Sequence, residues 1–91
     1  MPWKSTANYG MICRMDDAAK IASQIAAFGG NLRRARVNRK ITQEDLAERA
    51  DLNLRTVQRI EAGETNVLIT TAMRLRRGIG CPWKELLPES R

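Results

Sequence analysis

Two short amphipathic helical periods, separated by one polar turn and each opened by a capping residue, constrain this chain more than any other feature. Thr42 precedes the first, and Asp45 follows three residues later, the spacing of a capping box. Leu46, Ala47 and Ala50 fall on one face of that helix, and Asp51 occupies the turn. Asn53 is an N-cap for a second helix running to about Ala62, and Gly63 follows as a C-cap residue of positive φ. Val57 and Ile60 face one way on this helix, while Arg55 and Arg59, one turn apart, face another. The small Ala47 suits a close helix crossing.

The rest of the chain supplies the core around these two helices. Of 91 residues, 43% are hydrophobic but only 4% aromatic, so a core must be built from Leu, Ile, Val and Ala. No alternating run of β-branched and aromatic residues marks a strand. Residues 1–15 lack periodicity and read as an arm, with Met11 and Met15 as alternative starts. From Asp16-Asp17 onward, Ile21, Ile25, Phe28, Leu32 and Ala35 recur at spacings of four, three, four and three, an amphipathic stripe. Gly29-Gly30 interrupts it: either one long or slightly broken helix runs to about Asn38, the favoured expectation, or two helices meet with Asn31 capping the second. Thr65 or Asn66 is expected to cap a fourth helix, with Ile69, Ala72, Met73 and Leu75 or Arg76 toward the inside and Gly78 and Gly80 ending it. Pro82 suits the first turn of a short last helix, Trp83 to Leu87, which Pro88 stops. The expected organisation is an arm at 1–15, a domain at 16–88 with its motif at 42–62, and a tail at 89–91.

Charge and residue types narrow the function. The net charge is +6, which suits a polyanion, because Lys and Arg displace counterions from phosphates; solubility alone is the plainer explanation. There is no His, which removes His-containing zinc fingers and His-based catalytic triads. Cys13 and Cys81 show no metal spacing and read as reduced thiols of a cytoplasmic protein. Glu44, Asp45 and Glu48 read as caps and solvated charges rather than an acid–base pair. No enzyme, cofactor, metal site or membrane span is expected. The paired helices match a helix-turn-helix, in which one helix braces and the other enters the DNA major groove.

From about Phe28 to Leu87 the chain resembles the Xre-type helix-turn-helix proteins, which include phage repressors and Cro. The resemblance is carried by Thr42-Gln43-Glu44-Asp45-Leu46-Ala47, Val57-Gln58-Arg59-Ile60-Glu61-Ala62-Gly63, Gly80 and Trp83-Lys84-Glu85-Leu86-Leu87. It implies an all-α, compact five-helix bundle of the lambda-repressor type, here with an N-terminal arm or extended first helix. It also implies a homodimer on operator DNA with the third helix in the major groove. Three positions depart from the family pattern: Asp51 where Gly is usual, Val67 where Pro is frequent, and Ala72 where a larger aliphatic residue is usual.

The candidate DNA contacts are Leu54, Arg55, Thr56, Gln58 and Arg59 on the third helix, with Asn53 as both cap and contact. Arginine hydrogen-bonds guanine O6 and N7 bidentately, which is the chemistry expected of Arg55 or Arg59; binding phosphate only, or pairing with Glu48 or Glu64, are the competing roles. The family position of Gln43 contacts phosphate at a helix N-terminus. Asn66, or Thr65, is a backbone contact or a cap. Arg39 and Lys40 are expected on phosphate, whereas Arg74, Arg76 and Arg77 read as a solvated face. The resemblance implies a structural ion pair between Arg36 and Glu61. Trp83, Leu86 and Leu87 are dimer candidates, the alternative for Trp83 being a cap on the core. The expected function is a DNA-binding transcriptional regulator, a repressor of a pseudo-palindromic operator. The alternative is the antitoxin of a toxin–antitoxin pair, gripping its toxin through the N-terminal segment. A third possibility, a fold retained without DNA binding, is opposed by Arg55 and Arg59.

Overall fold

In the computed structural model, which describes residues 15–88, the Ile–Phe–Leu stripe becomes one helix, α1 (Met15–Asn38), unbroken through Gly29-Gly30. It is followed by α2 (Gln43–Ala50), α3 (Leu54–Glu61), α4 (Ile69–Ile79) and the single-turn α5 (Trp83–Leu86), with no strand among the described residues. This is the all-helical five-helix architecture expected from the sequence. The assignments for residues 1–14, including Cys13, and for the tail at 89–91 lie outside the described residues.

The stripe on α1 is used only in part. Phe28, Leu32 and Ala35 are buried, but residues 18–24 are all exposed, Ile21 among them, and Ile25 is half-buried. The bundle covers the second half of α1 and leaves the first half projecting. The two glycines have opposite surroundings. A Cβ on Gly29 would collide with the Ile60 carbonyl oxygen and lie 3.0 Å from that of Glu61, so the missing side chain lets α1 lie on the C-terminal end of α3. A Cβ on Gly30 would meet nothing within 4 Å. Gly29→Ala is therefore expected to cost about 1–3 kcal/mol, overpacking outweighing the gain in helix propensity. Gly30→Ala is expected to stabilise by up to about 1 kcal/mol. Urea midpoints of the two variants, shifted in opposite directions, are the check.

Three helices end alike. After α1, Lys40 N–H donates to Val37 O and Ile41 N–H to Arg36 O; after α2, Asp51 N–H donates to Glu48 O and Leu52 N–H to Ala47 O; after α3, Gly63 and Glu64 repeat the pattern on Ile60 O and Arg59 O. Each is a Schellman turn with one left-handed residue, Lys40 and Asp51 at φ 57° and Gly63 at φ 73°. Asp51 holds left-handed backbone in place of the usual glycine, as expected of a residue that tolerates it.

The core is aliphatic. Leu32, Leu46, Val57, Ile60, Leu75 and Leu86 are fully buried, with Phe28 the one aromatic residue among the buried set. Several expectations about the C-terminal half are corrected. The fourth helix begins later than Thr65 or Asn66 allows: Leu68 precedes it with no side-chain cap, and the Asn66 amide oxygen accepts from Val67 N–H at 2.8 Å instead. Ile69 and Met73 are exposed, and Ala72, Leu75 and Ile79 form the inner stripe. Gly78 lies inside α4 rather than ending it; a Cβ there would come within 3.1 Å of Leu46 Cδ1, so it permits close packing on α2. Arg76 is not on a solvated face: it is half-buried, its guanidinium 5.2 Å from the Trp83 ring centroid, a cation–π contact. Leu86 is completely buried within the chain and is removed as a dimer candidate, leaving Leu87 exposed and Trp83 half-buried against the core.

Cys81 is buried beside α5. Burial pushes its thiol above the ordinary range; Arg39 opposes this and Glu85 adds to it. The folded thiol stays protonated where the unfolded one has ionised, so stability falls as pH rises past about 8.5. In a Cys13→Ser variant at neutral pH, thiol labelling is expected only at the rate of unfolding, which timed labelling across a urea series measures.

Candidate nucleic-acid interface

The motif helices are positioned by local chemistry first. Thr42 Oγ1 accepts from Asp45 N–H at 3.0 Å and Asp45 Oδ2 accepts from Thr42 N–H at 3.5 Å, closing the capping box on α2. Asn53 Oδ1 accepts from Arg55 N–H at 2.8 Å and caps α3. Burying Val57 and Ile60 then fixes the roll of α3 and turns Arg55, Gln58 and Arg59 into solvent. These three side chains, with Ala62 and Glu64, line a shallow depression of about 390 Å³. Arg59 Nε lies 3.9 Å from Glu64 Oε1, a long, exposed contact that leaves the guanidinium available.

Other sequence candidates sit differently. Leu54 is half-buried and packed against the core, so its place at the head of α3 is structural; Thr56 is half-buried. Arg39, grouped with the phosphate contacts, is held inside the chain: Nη1 and Nη2 donate to the two Glu85 carboxylate oxygens at 3.1 and 3.2 Å, and Nη1 also donates to Ala35 O. The hydrogen bonds it donates to Glu85 raise the pKa of this guanidinium above its ordinary value. It fastens α1 to α5. Lys40 is exposed and has no ion pair among the described residues. Asn66 is exposed beyond α3, with its amide oxygen committed to Val67.

Beneath the exposed face of α3 lies a buried polar knot. Arg36 donates to Glu61 bidentately, Nε to Oε2 at 2.7 Å and Nη2 to Oε1 at 3.0 Å, while Nη1 donates to Ile41 O at 2.8 Å. Their side chains are 11% and 3% exposed, so both charges are largely out of water. Gln43 Nε2 adds a third donor to Glu61 Oε1 at 3.0 Å. Glu61 thus ties α1 and α2 to the last residue of α3. The family resemblance implies a phosphate contact for Gln43; its bond to Glu61 is not visible in the sequence pattern. Its spacing of eighteen residues from Glu61 carries no local signal.

A braced pair of short helices, one exposing arginines from a face the core has fixed, defines a helix-turn-helix protein. The helix-turn-helix family model matches residues 32–86, and the chain belongs to this Xre-like family of DNA-binding transcriptional regulators. Among solved structures, the chain is similar to the restriction-modification controller protein C.AhdI from Aeromonas hydrophila, with 28% identity and a TM-score of 0.68 over 71% of this chain and 98% of that one. A search of curated proteins returns no significant match. No helix among the described residues is long and apolar enough to cross a membrane.

Proposed function

We propose that this protein is a sequence-specific regulator that lays α3 in the major groove of a pseudo-palindromic operator as a homodimer, and represses by occupying the promoter. The observation that carries this is the division of α3: Val57 and Ile60 are in the core, and Arg55, Gln58 and Arg59 are outside it. Arg55 and Arg59 take guanine O6 and N7, and Gln58 takes an adjacent base edge. Lys40, Asn66 and the backbone N–H groups at the start of α2 hold phosphates. Gln43 is held by Glu61 at that helix start, so its amide meets the phosphate in a fixed orientation. The likeness to a restriction-modification controller supports a role in controlling gene expression. Half-sites are spaced by about one helical turn of DNA.

The test is selection of bound duplexes from a random library at fixed salt, comparing wild type with Arg55→Ala/Arg59→Ala. The expected result is a two-fold symmetric motif containing guanines that the variant no longer enriches. Absence of any motif, with binding that fades uniformly as salt rises, would leave only electrostatic affinity and refute the proposal.

A further inference from the structure

We propose that the projecting half of α1, together with the start of α4, is the face on which a second copy of this chain seats. This rests on the pairing proposed above and gives it a location. Among the described residues, five of the six large apolar side chains that are exposed are Ile21, Leu68, Ile69, Met73 and Leu87; Val37 is the sixth. Ile21, Ile69 and Leu87 line one groove of about 430 Å³ with Ile25, Phe28 and Val67. Leu68 precedes Ile69, and Met73 follows it by one helical turn. Leu68 is 74% and Ile69 70% exposed, so they protrude. Side chains of this size present on the order of 500 Å² of apolar surface, the size at which a patch on a monomer is commonly functional. That is below the roughly 800 Å² per partner of a standard stable interface, which suits pairing of modest affinity.

Charge identifies the occupant. In a chain that is 29% charged, no Lys, Arg, Asp or Glu lines this groove. Two copies each carrying +6 repel, so they meet best where charge is absent. A foreign partner recognised by so basic a chain would instead be met by complementary charge. The patch also holds both a hollow and protruding side chains side by side, as a two-fold self-contact requires. Ile21 and Ile25 lie outside the family-matched residues 32–86, so α1 adds a grip beyond the shared motif.

The test is sedimentation equilibrium of the full chain without DNA, alongside far-UV circular dichroism and binding to a single DNA half-site. Wild type is expected to dimerise in the micromolar range. Ile21→Gln and Ile69→Gln are each expected to weaken self-association at least tenfold, with unchanged helicity and half-site binding. A wild-type monomer, or a dimer insensitive to Ile21→Gln, overturns the proposal. A monomer that dimerises when residues 1–14 are removed overturns it too, because the chain's own N-terminal segment then fills the groove. Intact half-site binding in any of these cases leaves the DNA-binding function standing, whereas its absence in every preparation counts against that function separately.

Discussion

Arg36→Ala is expected to remove about 3–5 kcal/mol of folding stability, the largest loss at any single polar position in this domain. The cause is not the lost attraction alone. Glu61 keeps its place at the end of α3, 3% exposed, with Gln43 as its remaining donor and no positive charge beside it. A buried carboxylate left unpaired bears most of its desolvation cost, and Ile41 O loses its guanidinium donor as well. Small domains have about 5–15 kcal/mol in total, so the variant should be partly unfolded at modest temperature. Urea unfolding followed by circular dichroism measures this directly. The double variant Arg36→Met/Glu61→Leu separates pair from burial: it should recover most of the loss, because an apolar pair of similar volume strands no charge. A loss below about 1 kcal/mol for Arg36→Ala would mean that water reaches Glu61.

Arg55→Ala and Arg59→Ala are each expected to weaken binding to the selected operator by about 1–3 kcal/mol per half-site, roughly five- to 150-fold, while changing folding stability by less than about 0.5 kcal/mol. The two effects separate because both side chains are exposed and neither contributes to the core. Fluorescence anisotropy at two salt concentrations distinguishes base from phosphate contact. An arginine on a base edge loses discrimination at one position, whereas an arginine on phosphate weakens all sequences alike and lowers the salt slope by about one. Equal losses on operator and random DNA would assign both arginines to phosphate.

What could be read from sequence was local. The Thr42–Asp45 box and the Asn53 cap are visible because the partners are two or three residues apart. Asp51 and Gly63 were expected where the chain turns left-handed, since their side chains, or lack of one, suit that backbone. Lys40 makes the same turn with no signal in the sequence, since nothing in a lysine favours left-handed backbone. Periodicity showed which residues share a face but not how far the bundle extends. Ile21 therefore falls in the expected core stripe yet is exposed, and Ile69 and Met73 lie outside the inner stripe that the pattern assigns them to. Leu86 and Leu87 were not separable by pattern on a single turn of helix. The partners of Arg39 and Arg76, Glu85 and Trp83, are brought to them only by the fold, so neither contact shows in the pattern, although Arg76 is one of the two residues expected toward the inside of the fourth helix. On α3 the two-sided pattern was clear, but the packing of Leu54 against the core was not.

The three-way tie at Glu61 has a consequence for how this protein can diverge. The carboxylate that sets the pose of α3 lies beneath it, and the side chains that face outward take no part in that bond. Substitutions at the proposed base contacts Arg55, Gln58 and Arg59 are therefore expected to cost little foldedness. If α3 reads DNA as proposed, recognition is interchangeable text on a fixed mount, and new preferences can accumulate by single changes without compensating repairs in the core.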